Sequence, residues 1–457
     1  MNSIIVLAVL GMLTMFLGIT NRKKWILPVI ISGLVFALIA NALEWNKNTH
    51  YYNDMLVVDN FSIAFNGVLF ISTILVLMFA STYYRTVERP LEDVYALMIF
   101  SLVGGVCMTS FGNIVMLFIG IEILSICMYV LAGSKKFDLA SNEASFKYFL
   151  TGSFSTGFLL LGIAFLYGAT GTFDLVKMNT YIFSHANELP LYFNVGMLLV
   201  MVGLSFKLAI APFHFWAPDV YHGSPTLITA FMATTVKIAG IAAFYKLFSS
   251  CFISVLPLWT TVLSVFAALT IIIGNVTAIY QTNMKRMLAY SSISHAGYLS
   301  LGILAMNNFS KNALLIYTLA YAVATITAFG IIILVRGSRN NDDINTFNGL
   351  ARTNPIMSFA LTISMLSLTG IPPLAGFIGK YFIFTSAIES GYLWLVIIAI
   401  LGSALSAVYY FKPIIAVYMK KGEWEPVVGT PSYKFIIILL IVLMFLIGII
   451  PNTFVLL

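Results

Sequence analysis

The sequence predicts an all-α polytopic membrane protein of about fourteen transmembrane helices, and three observations carry this reading. Of 457 residues, 60% are hydrophobic and 9% charged, with a mean hydropathy of +0.98; a soluble domain is nearer about 45–50% apolar and 25% charged. The apolar residues fall in runs of about 20, the length a bilayer core requires, bounded by charge, proline, glycine or asparagine. Basic residues alternate between rich and poor connections, as a repeatedly crossing chain demands. A water-soluble fold and disorder are excluded, and three cysteines are too few for a disulfide scaffold.

Helix 1 begins near residue 3. No charge precedes its apolar run, and Arg22, Lys23 and Lys24 follow it, the reverse of a cleavable secretory signal. It reads as an uncleaved span with its N-terminus outside. Helices 2 to 14 begin near residues 25, 60, 93, 113, 142, 191, 225, 255, 288, 311, 355, 392 and 433. An even count returns the C-terminus to the outer, periplasmic side. Inner loops then hold Arg22, Lys23, Lys24, Arg85, Arg89, Lys135, Lys136, Lys285, Arg286, Arg336, Arg339, Arg352, Lys420, Lys421 and Lys434; outer loops hold only Lys47, Lys177, Lys246 and Lys311. The pI of about 9.1 is thus a topology signal. No basic stretch with interleaved aromatics marks a nucleic-acid surface, and the expected surroundings are lipid. The chain divides into helices 1–3 (residues 1–92), helices 4–8 (93–250), helices 9–13 (255–420) and helix 14 (433–457).

Cys107, Cys127 and Cys251 stand singly in apolar helices, so neither a CxxC pair nor a four-thiolate cluster set is present. There is no GxxxxGK[ST] loop, and with no strands expected there is no dinucleotide fingerprint. His50 and His185 fall in outer loops, leaving His214, His222 and His295 deep in the chain; a bis-histidine haem is the weaker use for these. No metal and no cofactor of its own is expected on this chain.

Setting the loop residues aside leaves Lys147, Lys207, Lys237, Lys380 and Lys412. Lys412 lies toward an inner end, where it snorkels. Lys147 follows Glu143 by four residues, a spacing suited to a helical ion pair, and is a secondary candidate. Glu122 is the acidic residue inside a long apolar helix. A charge at bilayer centre costs about 2.5–3.5 kcal/mol, so Glu122, Lys207, Lys237 and Lys380 together cost on the order of 10 kcal/mol before pairing or hydration. One buried Glu–Lys pair fixing the packing explains at most two of them; a proton or ion pathway explains the set.

Two helices should break. Helix 7 reads Phe206-Lys207-Leu208-Ala209-Ile210-Ala211-Pro212 and continues through Pro218 to Pro225, and helix 12 reads Leu368-Thr369-Gly370-Ile371-Pro372-Pro373 before Lys380. Proline removes a backbone donor, and freed backbone at membrane depth is tolerated only beside protein or water. Five helices apart, the two cross in opposite directions, the mark of inverted repeats, here helices 4–8 and 9–13. His295, on helix 10, relays protons with its ordinary pKa near about 6.5 or serves as a hydrogen-bonded structural residue. His214 and Asp219 line an inner entrance or satisfy broken backbone. The sequence leaves these alternatives open.

Residues 206–240 (FKLAIAPFHFWAPDVYHGSPTLITAFMATTVKIAG), 285–298 (KRMLAYSSISHAGY) and 354–384 (NPIMSFALTISMLSLTGIPPLAGFIGKYFIF) resemble the antiporter-like membrane subunits of respiratory complex I (NADH:quinone oxidoreductase) and of multisubunit cation/proton antiporters, most closely the subunit N type. The resemblance covers nearly the whole chain. It implies fourteen helices with two inverted five-helix repeats and a functional set of Glu122, Lys207, Lys237 and Lys380. It also implies proton translocation driven by quinone reduction elsewhere, with FMN, iron–sulfur clusters and quinone in partner subunits. Those partners would be the antiporter-like subunits M and L and the small subunits K, J and A, in a bacterial cytoplasmic membrane. Protons are expected to load onto Lys207 and Lys237 from inside, pass by water and His295 to Lys380, and leave outside. The alternatives are a sodium/proton antiporter subunit and a structural subunit with a vestigial channel.

Overall fold

A computed structural model describes residues 1–20, 25–84, 91–186, 188–422, 426–427 and 431–455. Five basic residues assigned to inner loops, Arg22, Lys23, Lys24, Arg85 and Arg89, lie outside them. The chain runs through α1 (Asn2–Ile19), α2 (Ile26–Ala42), α3 (Asn60–Met78), the single turn α4 (Ala80–Tyr83), α5 (Glu92–Ser110), α6 (Ile114–Ala132), α7 (Leu139–Thr170) and α8 (Leu175–Ser184). It continues with α9 (Leu191–Leu208), α10 (Trp216–Gly223), α11 (Thr226–Phe231), α12 (Lys237–Cys251), α13 (Leu256–Ile279) and α14 (Met284–Ala305). The last third holds α15 (Ser310–Arg339), α16 (Leu350–Thr353), α17 (Pro355–Thr369), α18 (Ala375–Glu389), α19 (Leu393–Tyr418) and α20 (Pro431–Ile449). Each of the fourteen expected starts lies within four residues of an observed helix start.

Among the described residues ten helical stretches are long and apolar enough to cross a membrane, with Ile26–Ala42, Pro355–Thr369 and Tyr433–Ile449 as shorter apolar helices. This is an integral membrane protein, almost wholly helical over the described residues. Side-chain caps set several of the starts. Asp59, Asn113, Asp138, Asp174 and Asn283 each accept from a backbone N–H in the first turn, a contact worth about 1 kcal/mol.

Burial sorts the helices. The stretch Thr226–Cys251 is buried over its whole apolar window and Ser310–Arg339 over 94%, against 28% for α1 and 33% for α7 and α19. Helices apolar on all sides belong in the centre of a bundle. Lys237 and the tyrosines of α15 are therefore central by position.

Several expectations need correction. The chain does have strands: β1 (Thr49–Tyr51) pairs antiparallel with β2 (Leu56–Val58), because Tyr52, Asn53 and Asp54 take successive left-handed conformations that reverse the chain within one short connection. The connection between the expected helices 6 and 7 contains α8, an amphipathic helix capped by Asp174. Helix 7 breaks earlier than its prolines indicate. Ala209 takes φ 57° and α10 resumes at Trp216, so Pro218 sits in a first turn, where its missing N–H has no partner to lose. Helix 12 breaks as expected, between Gly370 and α18. Lys246 and Lys285, assigned to loops, are instead buried helical residues. Each sits at the end of an apolar run, where sequence alone cannot separate a loop lysine from one folded back onto backbone carbonyls.

Candidate functional site

Lys207 occupies the last turn of α9 and is buried. Its ammonium donates to Ser125 Oγ at 2.6 Å and Tyr129 Oη at 3.2 Å and lies 5.4 Å from the centre of the Tyr129 ring. Ser125 and Tyr129 follow Glu122 on α6 by three and seven residues, so all three share one helix face. Of the buried Glu–Lys pairings open to Glu122, the one with Lys207 is not made as a direct contact. Ser125, one turn along, takes the ammonium, while Glu122 Oε1 is buried and has no hydrogen-bond partner among the described residues. Trp216, at the start of α10, donates to the Phe206 carbonyl at 3.0 Å and stacks on Tyr148, closing the break over Lys207 with aromatic rings.

Lys237 follows a π-helical turn, Met232–Val236, and its ammonium donates to the carbonyl and hydroxyl of Ser292 on α14. Tyr321 of α15 donates to the same Ser292 hydroxyl at 3.0 Å and lies under Lys237 at 5.9 Å. One turn further along α14, His295 is buried. Its Nδ1 meets Tyr317 Oη at 2.6 Å and its Nε2 meets Tyr410 Oη at 3.1 Å. The Tyr321 ring stands 4.9 Å from the His295 ring and the Tyr298 ring 5.6 Å from it.

Lys380 closes this run. It lies over the Tyr298 ring at 5.0 Å and donates to the carbonyls of Leu368 (3.0 Å) and Thr369 (2.8 Å) and to Ser403 Oγ (2.8 Å). Those carbonyls end α17, where four acceptors lack helical partners and the helix dipole is negative. The helix break thus builds a cation site, using Gly370 at φ +94° to turn the chain away.

The structure brings Lys237, His295 and Lys380 into one connected line of hydroxyls, imidazole and rings. From Ser292 a run of rings, Tyr221, Trp216, Tyr148 and Tyr129, continues that line to Lys207, whose ammonium lies on the α6 face that also carries Glu122. Lys147 stands apart. It is 42% exposed, makes the expected pair with Glu143 (2.6 Å) and a further pair with Asp219 (3.0 Å), and Asp219 also takes Arg286 (3.0 Å). Lys412 is half-buried and donates to the Ile279 carbonyl, at the end of α13. His214 is buried with Nδ1 unpartnered among the described residues. Ser292 belongs to the polar opening of the expected helix 10, whereas Ser125, Tyr129, Tyr298, Tyr317, Tyr321, Ser403 and Tyr410 were not singled out in the sequence. The one legible sign was their helical spacing, Ser292-His295 on α14 and Tyr317-Tyr321 on α15, each on one face.

Hydroxyls and imidazole both donate and accept, so they hand protons on; a carbonyl only accepts. Lys207, Lys237 and Lys380 each donate to at least one hydroxyl, and Lys237 and Lys380 to backbone carbonyls as well, with no carboxylate among the described residues in direct contact. The described residues contain no group of three or more His, Cys, Asp or Glu arranged for a metal.

Residues 112–406 match the family described as NADH:quinone oxidoreductase/Mrp antiporter, transmembrane. A relative named NADH-quinone oxidoreductase subunit N, from Cytophaga hutchinsonii, is 44% identical over 99% of this chain and 98% of its own. The fold superposes on a chain of respiratory complex I from Thermus thermophilus with TM-score 0.83 and 31% identity, covering 98% of this chain and 97% of that one. A chain of the Mrp complex from Dietzia sp. shares the fold at TM-score 0.88 and 20% identity, covering 99% and 94%.

Proposed function

The chain belongs to the NADH-quinone oxidoreductase subunit N family of antiporter-like membrane subunits, and on that premise we propose that it moves protons through the membrane arm of a complex I type assembly. The observation that carries this is the run Lys237–Ser292–Tyr321–His295–Tyr298–Lys380, in which every neighbouring pair is joined by a hydrogen bond, a ring contact or a cation–ring contact. Protons load Lys207 and Lys237 from the inner side, pass by water and His295 to Lys380, and leave outside.

Glu122 sets the charge on Lys207. A shift of one helical turn along α6 carries the ammonium from Ser125 to Glu122, and at 4 Å that pair is worth about 4 kcal/mol at an effective dielectric of 20. Hydrogen bonds to a charged group contribute about 1.5–3 kcal/mol each, so the two arrangements are closely balanced. A change in the local field selects between them.

Electron transfer belongs to partner subunits holding flavin, iron–sulfur clusters and quinone; the cysteines of this chain are single and buried in α5, α6 and α12. The partners are antiporter-like subunits of types M and L and small subunits of types K, J and A, in a bacterial cytoplasmic membrane with both termini outside. The two broken helices, α9 with α10 and α17 with α18, are corresponding members of two inverted repeats. Replacing Lys207 by Met or Glu122 by Gln is expected to lower NADH-driven proton pumping in inside-out vesicles about tenfold or more, with the complex assembled on native gels. Wild-type pumping in either variant overturns the proposal.

A further inference from the structure

The line from Lys237 to Lys380 needs a proton donor leading in from the inner face, and the buried Lys285 stands where one is needed. Lys285 is the second residue of α14 and has no exposed surface, although Asn283 and Arg286 beside it reach a surface cluster. Its ammonium donates to the carbonyls of His222 and Ser224, each at 2.7 Å. These are terminal acceptors of α10, which hold a cation through unsatisfied lone pairs and the negative end of the helix dipole but supply no countercharge.

Groups on both sides extend this site. Toward the surface, the His222 ring meets Asn283 at 3.3 Å and Asn283 meets Asp343 at 3.2 Å. Toward the interior, Tyr221 of α10 lies against Ser292, whose carbonyl and hydroxyl hold Lys237. Lys285 and Ser292 are seven residues apart, so they share one face of α14 about 10.5 Å apart. The C-terminal end of α10 spans that interval, with the carbonyls of His222 and of its cap Ser224 on Lys285 and the Tyr221 hydroxyl on Ser292.

We propose that Lys285 is the proton relay of the inner inlet, taking protons from the surface group around His222 and passing them to Lys237. In this step the His222 imidazolium loses a proton to the free amine of Lys285. The Lys285 ammonium then gives one up toward the free amine of Lys237. The Tyr221 and Ser292 hydroxyls between them each accept one proton and release one, so over both transfers Lys285 is unchanged, His222 ends neutral and Lys237 ends charged. The charged groups around Lys285 are His222, Arg336 of α15, Asp342 (paired with Arg336 at 2.8 Å), and Lys135 and Asp138 from the connection between α6 and α7. This inference rests on the proton-pathway reading above.

Arginine keeps the positive charge and the donors but does not deprotonate, so it separates a relay from a clamp. In inside-out vesicles carrying the whole complex, Lys285→Arg is expected to lower NADH-driven pumping roughly tenfold or more. Lys285→His, which titrates about four units below lysine, is expected to retain pumping with its pH optimum moved down by about one unit or more. Lys285→Arg pumping above this limit, Lys285→His with a wild-type pH profile, or failure of both variants to assemble overturns the assignment and leaves Lys285 a structural clamp. Lys207→Met and Lys380→Met are measured alongside. If either of these pumps at the wild-type rate, the pathway reading itself fails; if both lose pumping while Lys285→Arg keeps it, only the inlet fails.

Discussion

Glu122, Lys207, Lys237 and Lys380 were visible in the sequence because a charge inside an apolar run is costly enough to need a reason. Their partners were not, since serine and tyrosine enter buried faces at little cost and carry no such flag. Lys246 shows the same limit. Read as an outer-loop residue, it is buried in α12 and donates to the Thr109 carbonyl at 3.1 Å and the Val57 carbonyl at 3.3 Å, beside Asp59 at 3.5 Å. Burial pushes the Asp59 carboxyl up, but the Lys246 ammonium and the hydrogen bonds from Ser62 outweigh burial and hold it below its ordinary 3.8. A carboxyl depressed in the folded state stabilises fully above its unfolded value near about 3.9 and loses that contribution as pH falls through the lower folded value. Asp59→Asn keeps a good N-cap while removing the charge. Thermal unfolding in detergent should show it less stable than wild type by about 1–3 kcal/mol at neutral pH, with the gap closing below about pH 4.

At the helix breaks, proline content located two interrupted helices, yet the turn residues determine where each one ends. Gly370 has φ +94°, and a Cβ there would meet Lys380 Cδ at 3.0 Å. Gly370→Ala therefore strains the backbone by about 1–2 kcal/mol and displaces the ammonium from the Leu368 and Thr369 carbonyls. Assembly should survive while pumping falls several-fold. Gly376, at the start of α18, is a different case, because a Cβ there would lie 1.8 Å from the Ser367 carbonyl oxygen. The two halves of the broken helix touch at this point, with the Gly376 N–H donating to Ser367 Oγ at 3.1 Å. Gly376→Ala should cost assembly itself, read as loss of the intact complex on native gels. If Gly376→Ala assembles normally, the tight junction between α17 and α18 is not what holds the break.

For the molecule as a whole, the arrangement makes sense only within a larger machine. Its buried lysines are spread over α9, α12, α14 and α18, and the proposed pathway takes its driving reaction from partner subunits. An affinity-tagged copy is expected to bring down flavin- and iron–sulfur-containing polypeptides and NADH-dependent quinone reduction. A preparation that carries cation/proton antiporter polypeptides and lacks these would point to the gradient-driven alternative.

Hydropathy and charge periodicity were enough to place fourteen helix starts to within four residues, though not the short helices such as α8, α10 and α16, because the free energy of burying charge in lipid acts locally along the chain. The four ionisable positions were legible for the same reason. Which groups hold each ammonium depends on residues far apart in the chain that meet only when helices pack: Ser292 with Lys237, Thr369 with Lys380, His222 with Lys285. Hydrogen-bond partners and helix-end carbonyls are set by that packing geometry, and no local pattern records it.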